Sequence, residues 1–324
     1  MDCNFGVQPE IRLQETGVGD RRRDYGTVQT RGGKTENRGS MQIVTERAAE
    51  MQEPLLTIKP PGLWSPFALR EVWSYRDLLW ALAVRDVKLR YRQTALGVVW
   101  VVLQPLLAAG IMSFVFGVIA NLPSDGLPYF LLSYIGMLGW QAFSGTLTKA
   151  SQCIVGNSHL VSKVYFPRLI LPLSTVLSTL LDFVVGFALL LGLMGIYGIR
   201  PQASLLLLPV LLVLLITLAA GLGLWVSALM VTYRDLQYVI PYFTQLLFYA
   251  SPVALTLAAV PEKLQIFFLL NPLTGLLEAF RWAIVGRGTV SGMAIAYSVG
   301  ATILSFILGA FVFKRMERTF ADVI

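Results

Sequence analysis

Residues 204–231 read SLLLLPVLLVLLITLAAGLGLWVSALMV, and these 28 positions hold no Asp, Glu, Lys or Arg. A helix of that length runs about 42 Å at 1.5 Å per residue, more than the roughly 30 Å of a bilayer's hydrocarbon core. Apolar side chains fall on every side of it, so no face is left for water. The solvent for this helix is lipid, or other helices of the same kind.

Comparable stretches lie near residues 95–120, 127–147, 169–199, 238–258 and 291–313, giving six expected spans. Between the fifth and sixth stand two pieces too short to cross, 264–270 and 273–285. They are broken by Asn271-Pro272 and carry Glu278 and Arg281. This pattern predicts a re-entrant or interfacial helical hairpin, in which Glu278 and Arg281, three apart, pair on one face, in a structural role near the outer surface ahead of substrate contact. The expected fold is therefore an all-α integral membrane protein with six transmembrane helices plus that hairpin. Whole-chain composition agrees: 55% of the 324 residues are hydrophobic and 14% charged, against about a quarter charged in soluble domains.

Residues 1–60 depart from the pattern, with nine Lys and Arg, nine Asp and Glu, and no apolar run. Such a segment buries too little apolar surface to offset its ordering entropy, so a disordered cytoplasmic tail without a signal peptide is expected. The net charge of +7 then belongs to the remainder, and 13 of its 17 basic residues fall on one side if the N-terminus is inside. The positive-inside rule places both termini in the cytoplasm. These basic residues flank spans and form no patch with interleaved aromatics, which argues against nucleic acid.

An interface region, 61–94, precedes the spans, and within it VWSYRDLLWALAVRDVKLRYR (72–92) predicts an amphipathic helix. At 100° per residue Trp73, Trp80, Val84, Val87 and Tyr91 share a face, with Arg85, Lys88 and Arg92 beside it to reach headgroups, and Leu78, Leu82 and Leu89 opposite. Such a helix lies on the membrane boundary, either with a protein partner on its other side or as a simple lipid anchor.

No phosphate-binding loop is present: Gly33-Lys34-Thr35 has Val28 where the first glycine belongs. Asp182 stands as the one notable carboxylate within a span, thin support for ion coupling, and reads as a hydrogen-bonded helix contact or a functional group. Cys3, Cys153 and the lone His159 suggest no metal or redox site.

Four ordered segments, RDVKLRYRQTALGVVWVVLQPLL (85–107), NSHLVSKVYFPRLILPL (157–173), YRDLQYVIPYFTQLLFYASPVAL (233–255) and NPLTGLLEAFRWAIVG (271–286), resemble the permease subunit of type-2 ABC exporters. The nearest branch exports lipopolysaccharide O-antigen, capsule and teichoic acid chains. The resemblance spans residues 70–324 and implies a homodimer in the bacterial inner membrane. It also implies two copies of a separate ATPase that carries the ATP and Mg, no cofactor in this chain, and a lipid-linked glycan as cargo. The helix before the first span would dock on the ATPase, and a coupling helix would lie in the loop 150–166. There Asn157, Leu160, Val161, Lys163, Tyr165 and Phe166 mix apolar anchors with polar groups, as a docking element does; an ordinary connecting loop is the plainer reading.

A glycan path combines aromatic faces with hydrogen-bonding side chains. Tyr238, Tyr242, Gln245, Tyr249 and Thr256 share a face of the fifth span, and Phe130, Tyr134 and Gln141 one of the second with Trp140 and Phe143 on an adjacent strip, so each stripe is a candidate channel lining or a packing surface. A permease for drugs or lipids has similar architecture. A membrane-embedded polyprenyl-phosphate transferase would gather acidic residues around a divalent metal, whereas Asp125, Asp182 and Asp235 are scattered.

Overall fold

The chain divides into two units, Met1–Pro60 and Pro61–Ile324. The computed structural model describes residues 73–92, 97–124, 126–164, 166–288, 290–317 and 320, all in the second unit. The expected tail 1–60 lies outside the described residues, as does Tyr165.

All described elements are helical. In chain order they are α1 (Arg76–Arg92), α2 (Gly97–Met112) continued by a π-helical stretch Ser113–Ile119, α3 (Tyr129–Gly156), α4 (Ser158–Lys163) and α5 (Ile170–Ile196). A 3-10 turn Ala203–Leu207 then leads into α6 (Leu208–Thr232) and α7 (Leu236–Tyr249), followed by α8 (Glu262–Leu270), α9 (Pro272–Val285) and α10 (Gly292–Met316).

Four helices are long and apolar enough to cross a membrane: Val102–Ile119, Ile170–Ile196, Ala203–Thr232 and Gly292–Met316. The pair α8 and α9 would make a fifth if taken as one span, but it bends by 101° at the expected break. Pro272 has no N–H to lose at the first helical position, and the Asn271 side chain accepts from the Leu273 N–H at 3.0 Å, so α9 starts cleanly there. The other two expected spans differ in character. Helix α3 has 28 residues, ample length, but Ser133, Gln141, Ser144, Thr146, Thr148 and Lys149 make it polar. Helix α7 has only 14, about 21 Å, and the expected run to 258 continues beyond Tyr249 as turns.

Helix α6 is the centre of the body, packed between α3 and α10. Its crossing with α10 is close because Gly221 meets Gly309: a Cβ on Gly309 would lie 2.0 Å from the Gly221 carbonyl oxygen. Dispersion between backbones replaces the hydrophobic drive that lipid cannot supply. Two apolar clusters follow. The larger joins α3, α6 and α9; the smaller draws Leu82 of α1 together with Ile154, Val161, Phe166, Ile170, Phe313 and Phe320.

Candidate transport path and coupling loop

Helices α3 and α7 enclose a cleft of about 350 Å³ lined by Trp140, Ser144, Gly145, Thr148, Lys149, Thr244 and Gln245. Trp140 is the one large apolar group among them, and it is itself buried, its ring edge-on to Phe248 at 5.4 Å and tilted against Phe143 at 5.8 Å. The cleft wall thus sets hydroxyls, an amide and an ammonium among the apolar surface of Trp140 and of the side-chain carbons. Behind it Lys149 Nζ stands 2.9 Å from Asp182 Oδ2, 3.2 Å from Ser178 Oγ and 3.3 Å from Thr179 Oγ1, all on α5. A charge taken from water into apolar surroundings is tolerated when paired and hydrogen-bonded. Asp182 is therefore a helix-to-helix contact, one of the two roles open to it from sequence.

The tyrosine stripe of α7 lies open beside this cleft. Tyr238, Tyr242 and Tyr249 are 68%, 75% and 66% exposed, and Gln245 turns into the cleft. The stripe expected on α3 does not hold together. Tyr134 is fully buried and its hydroxyl donates to the Gly186 carbonyl at 3.0 Å, so it is a packing residue and no channel lining. Phe130 packs towards Gly110 of α2, and Gln141 is half-buried. Sequence reading marked Trp140 but missed Ser144, Thr148, Gly145 and Lys149, although a spacing of four carries the face of Trp140 on to Ser144 and Thr148.

Where α7 ends, one side chain organises the chain that follows. Arg281 of α9, 4% exposed, donates through Nη2 to the carbonyls of Pro252 at 2.9 Å, Val253 at 3.2 Å and Leu255 at 3.2 Å. Its Nη1 meets Glu278 Oε1 at 2.9 Å, and that oxygen also accepts from the Leu257 N–H at 2.9 Å. Non-helical backbone among apolar helices survives only if its polar groups find partners, and these two residues supply them. The pairing is the one the spacing of three suggested. Gly136 completes the seat: a Cβ there would lie 1.8 Å from the Val253 oxygen.

The coupling loop differs from expectation in which side chains it shows. Val161 and Phe166 are buried in the smaller cluster and Leu160 is half-buried against it. They cannot serve as exposed anchors, because α1, α5, α6 and α10 together build an apolar seat that reading the loop alone does not reveal. The exposed residues are His159, Ser162, Lys163 and Val164. Asn157 bridges outward and inward, its Nδ2 donating to the Cys153 carbonyl at 2.8 Å and its Oδ1 accepting from Arg85 Nη2 at 2.8 Å. Arg85, which also pairs with Asp86 at 2.8 Å, is thus committed to this loop and not to headgroups. On α1, Trp80 and Lys88 are exposed, while the Arg92 side chain lies outside the described residues.

The chain is similar to the O-antigen export system permease protein RfbA of Myxococcus xanthus, 28% identical over 258 residues, covering 79% of this chain and 98% of that one. It is also similar to the Klebsiella pneumoniae protein of the same name, 27% identical over 76% of this chain and 95% of the relative. The polysialic acid transport protein KpsM of Escherichia coli is 26% identical over 74% and 93% respectively. Residues 77–285, from α1 through the α7 stripe to the Arg281 clamp, match the model of the ABC-2 type transporter. Apolar helices of membrane-spanning length, the polar cleft among them and this match over most of the chain lead to one statement: the protein belongs to the ABC-2 type transporter family and is a multi-pass membrane permease.

Proposed function

We propose that this chain is the membrane-spanning subunit of an exporter of lipid-linked polysaccharide. Two copies work with two copies of a separate ATPase in the bacterial inner membrane, with both termini cytoplasmic. The observation that carries the reading is the α7 face, where three exposed tyrosines and Gln245 stand beside a cleft that mixes Ser and Thr hydroxyls with apolar surface. Sugar rings stack on aromatic faces, and sugar hydroxyls exchange hydrogen bonds with Ser, Thr and Gln. The names of the relatives, O-antigen export and polysialic acid transport, point to the same cargo class.

In this reading the chain crosses six times, through α2, α3, α5, α6, α7 with its following turn, and α10. Helix α3 crosses in spite of its polarity because its neighbours shield it. The broken pair α8 and α9 dips in without crossing. The ATPase meets the exposed residues of the 157–168 loop and the outer face of α1, where Trp80 is exposed. The test is deletion of the gene followed by analysis of surface glycans and of lipid-linked glycan inside the cell. Loss from the surface with accumulation inside is expected; a normal surface glycan with no accumulation would refute the cargo assignment.

A further inference from the structure

The last described residues of the chain meet the beginning of α5, far away in sequence. The Arg168 N–H, just before α5 starts, donates to Glu317 Oε1 at 3.3 Å. In return the Arg168 guanidinium donates through Nη1 to the Glu317 backbone carbonyl, at the end of α10. The same guanidinium sits over the Phe320 ring, 5.5 Å from its centroid. Phe320 is 1% exposed and edge-on to Phe313 at 5.5 Å. Lys314, one turn back on α10, holds the Glu317 carboxylate at 2.8 Å.

This is a reciprocal contact between the turn that enters α5 and the end of α10. The last C=O groups of a helix have no partner inside it, and the helix dipole favours a cation there. The Arg168 guanidinium meets that need at the end of α10, while the Glu317 carboxylate holds the Arg168 N–H two residues before α5 begins. The entrance to α5 and the end of α10 shift together or lose these bonds. Arg168 is also the exit of the coupling loop, two residues after Phe166 in the smaller apolar cluster, whereas α10 runs on to the Gly221–Gly309 crossing with α6 and packs on α9.

We propose that Arg168 is a positioning residue that ties the coupling loop to α10, so that displacement of the loop reaches α6 and α9 through α10 as well as α5 directly. The inference rests on the assignment of the 157–168 loop as the ATPase contact.

The test is hydrogen exchange on the complete exporter, permease and copurified ATPase in nanodiscs, with and without ATPγS. In the wild type, nucleotide is expected to change exchange both at 157–175 and at 305–317. In Arg168→Gln the change at 157–175 persists while that at 305–317 is lost, and export per inserted permease falls at least about fivefold, the low end of allosteric coupling. ATPase association stays intact in that variant, and Arg168→Lys, which keeps the cation but not the fork, is intermediate. Glu317→Ala, which leaves the loop itself untouched, gives the same pattern and carries the test if Arg168→Gln does not insert. A wild-type change confined to 157–175, or either variant with an undiminished change at 305–317, would overturn the tie to α10 and leave the coupling loop standing. No wild-type change in either segment would overturn the coupling-loop assignment and this inference with it.

Discussion

Arg281 spends its guanidinium on the three carbonyls that follow α7 and on Glu278. Arg281→Met would leave three carbonyl oxygens without their donor and the Glu278 carboxylate without its cation, at a cost of about 3–5 kcal/mol. Inserted protein, measured by quantitative blotting of membranes, should therefore fall steeply. Arg281→Lys should rescue little, since one ammonium cannot span those acceptors in the plane they occupy. Tyr242 predicts the opposite pattern. Being 75% exposed, it leaves no internal cavity when truncated, so Tyr242→Ala should keep abundance and lose export, and Tyr242→Phe, which keeps the stacking face, should be mild. Surface glycan normalised to inserted protein checks this; unchanged export per protein in Tyr242→Ala would exclude the stripe from the path. Phe166→Asp now belongs with Arg281→Met, because a charge placed in the smaller cluster should unfold the loop before it can uncouple anything. The pairing of Glu278 with Arg281 was legible from a spacing of three. Its carbonyl partners were not, because residues 252–255 lie more than twenty positions away and no local pattern links them. The inward aim of Val161 and Phe166 was equally hidden, since an apolar side chain in a short polar loop looks exposed until the helices around it are known.

At the scale of elements, α6 could be read outright because nothing in it competes with lipid. Helix α3 could not: its hydroxyls and Lys149 lower its apolarity, and only contact with α5, α6 and α7 makes those groups tolerable. Helix α7 was read too long because the apolar run continues past Ser251-Pro252, where the backbone leaves the helix for the Arg281 seat. The Lys149–Asp182 pair gives a sharp expectation. Lys149→Met strands a half-buried carboxylate and should reduce inserted protein, whereas the double change Lys149→Met with Asp182→Leu should recover much of it, as apolar replacements of ion pairs withdrawn from water commonly do. Inserted protein for the two single variants and the double, taken as a thermodynamic cycle, decides it. Gly309→Leu should push α10 off α6; overpacking costs about 1–3 kcal/mol, and a lower melting temperature in detergent is the readout.

For the whole molecule, the proposed export takes its energy from a separate ATPase. The only approximation to a phosphate loop, at Gly33-Lys34-Thr35, lacks its first glycine. The purified chain is expected to release no phosphate from ATP, and hydrolysis should appear only with a copurified ATPase; turnover by the isolated chain would reverse the subunit assignment.

The order in which the chain leaves the ribosome gives the Gly221–Gly309 crossing a second meaning. Helix α6 emerges some sixty residues before α10, so its glycine notch enters the membrane with nothing in it, and the turn that enters α5 waits longer still for its carboxylate. Both vacancies are filled by α10. A chain cut short before residue 309 is thus open at its centre and at one rim together, and is expected to be degraded faster than the longer chain.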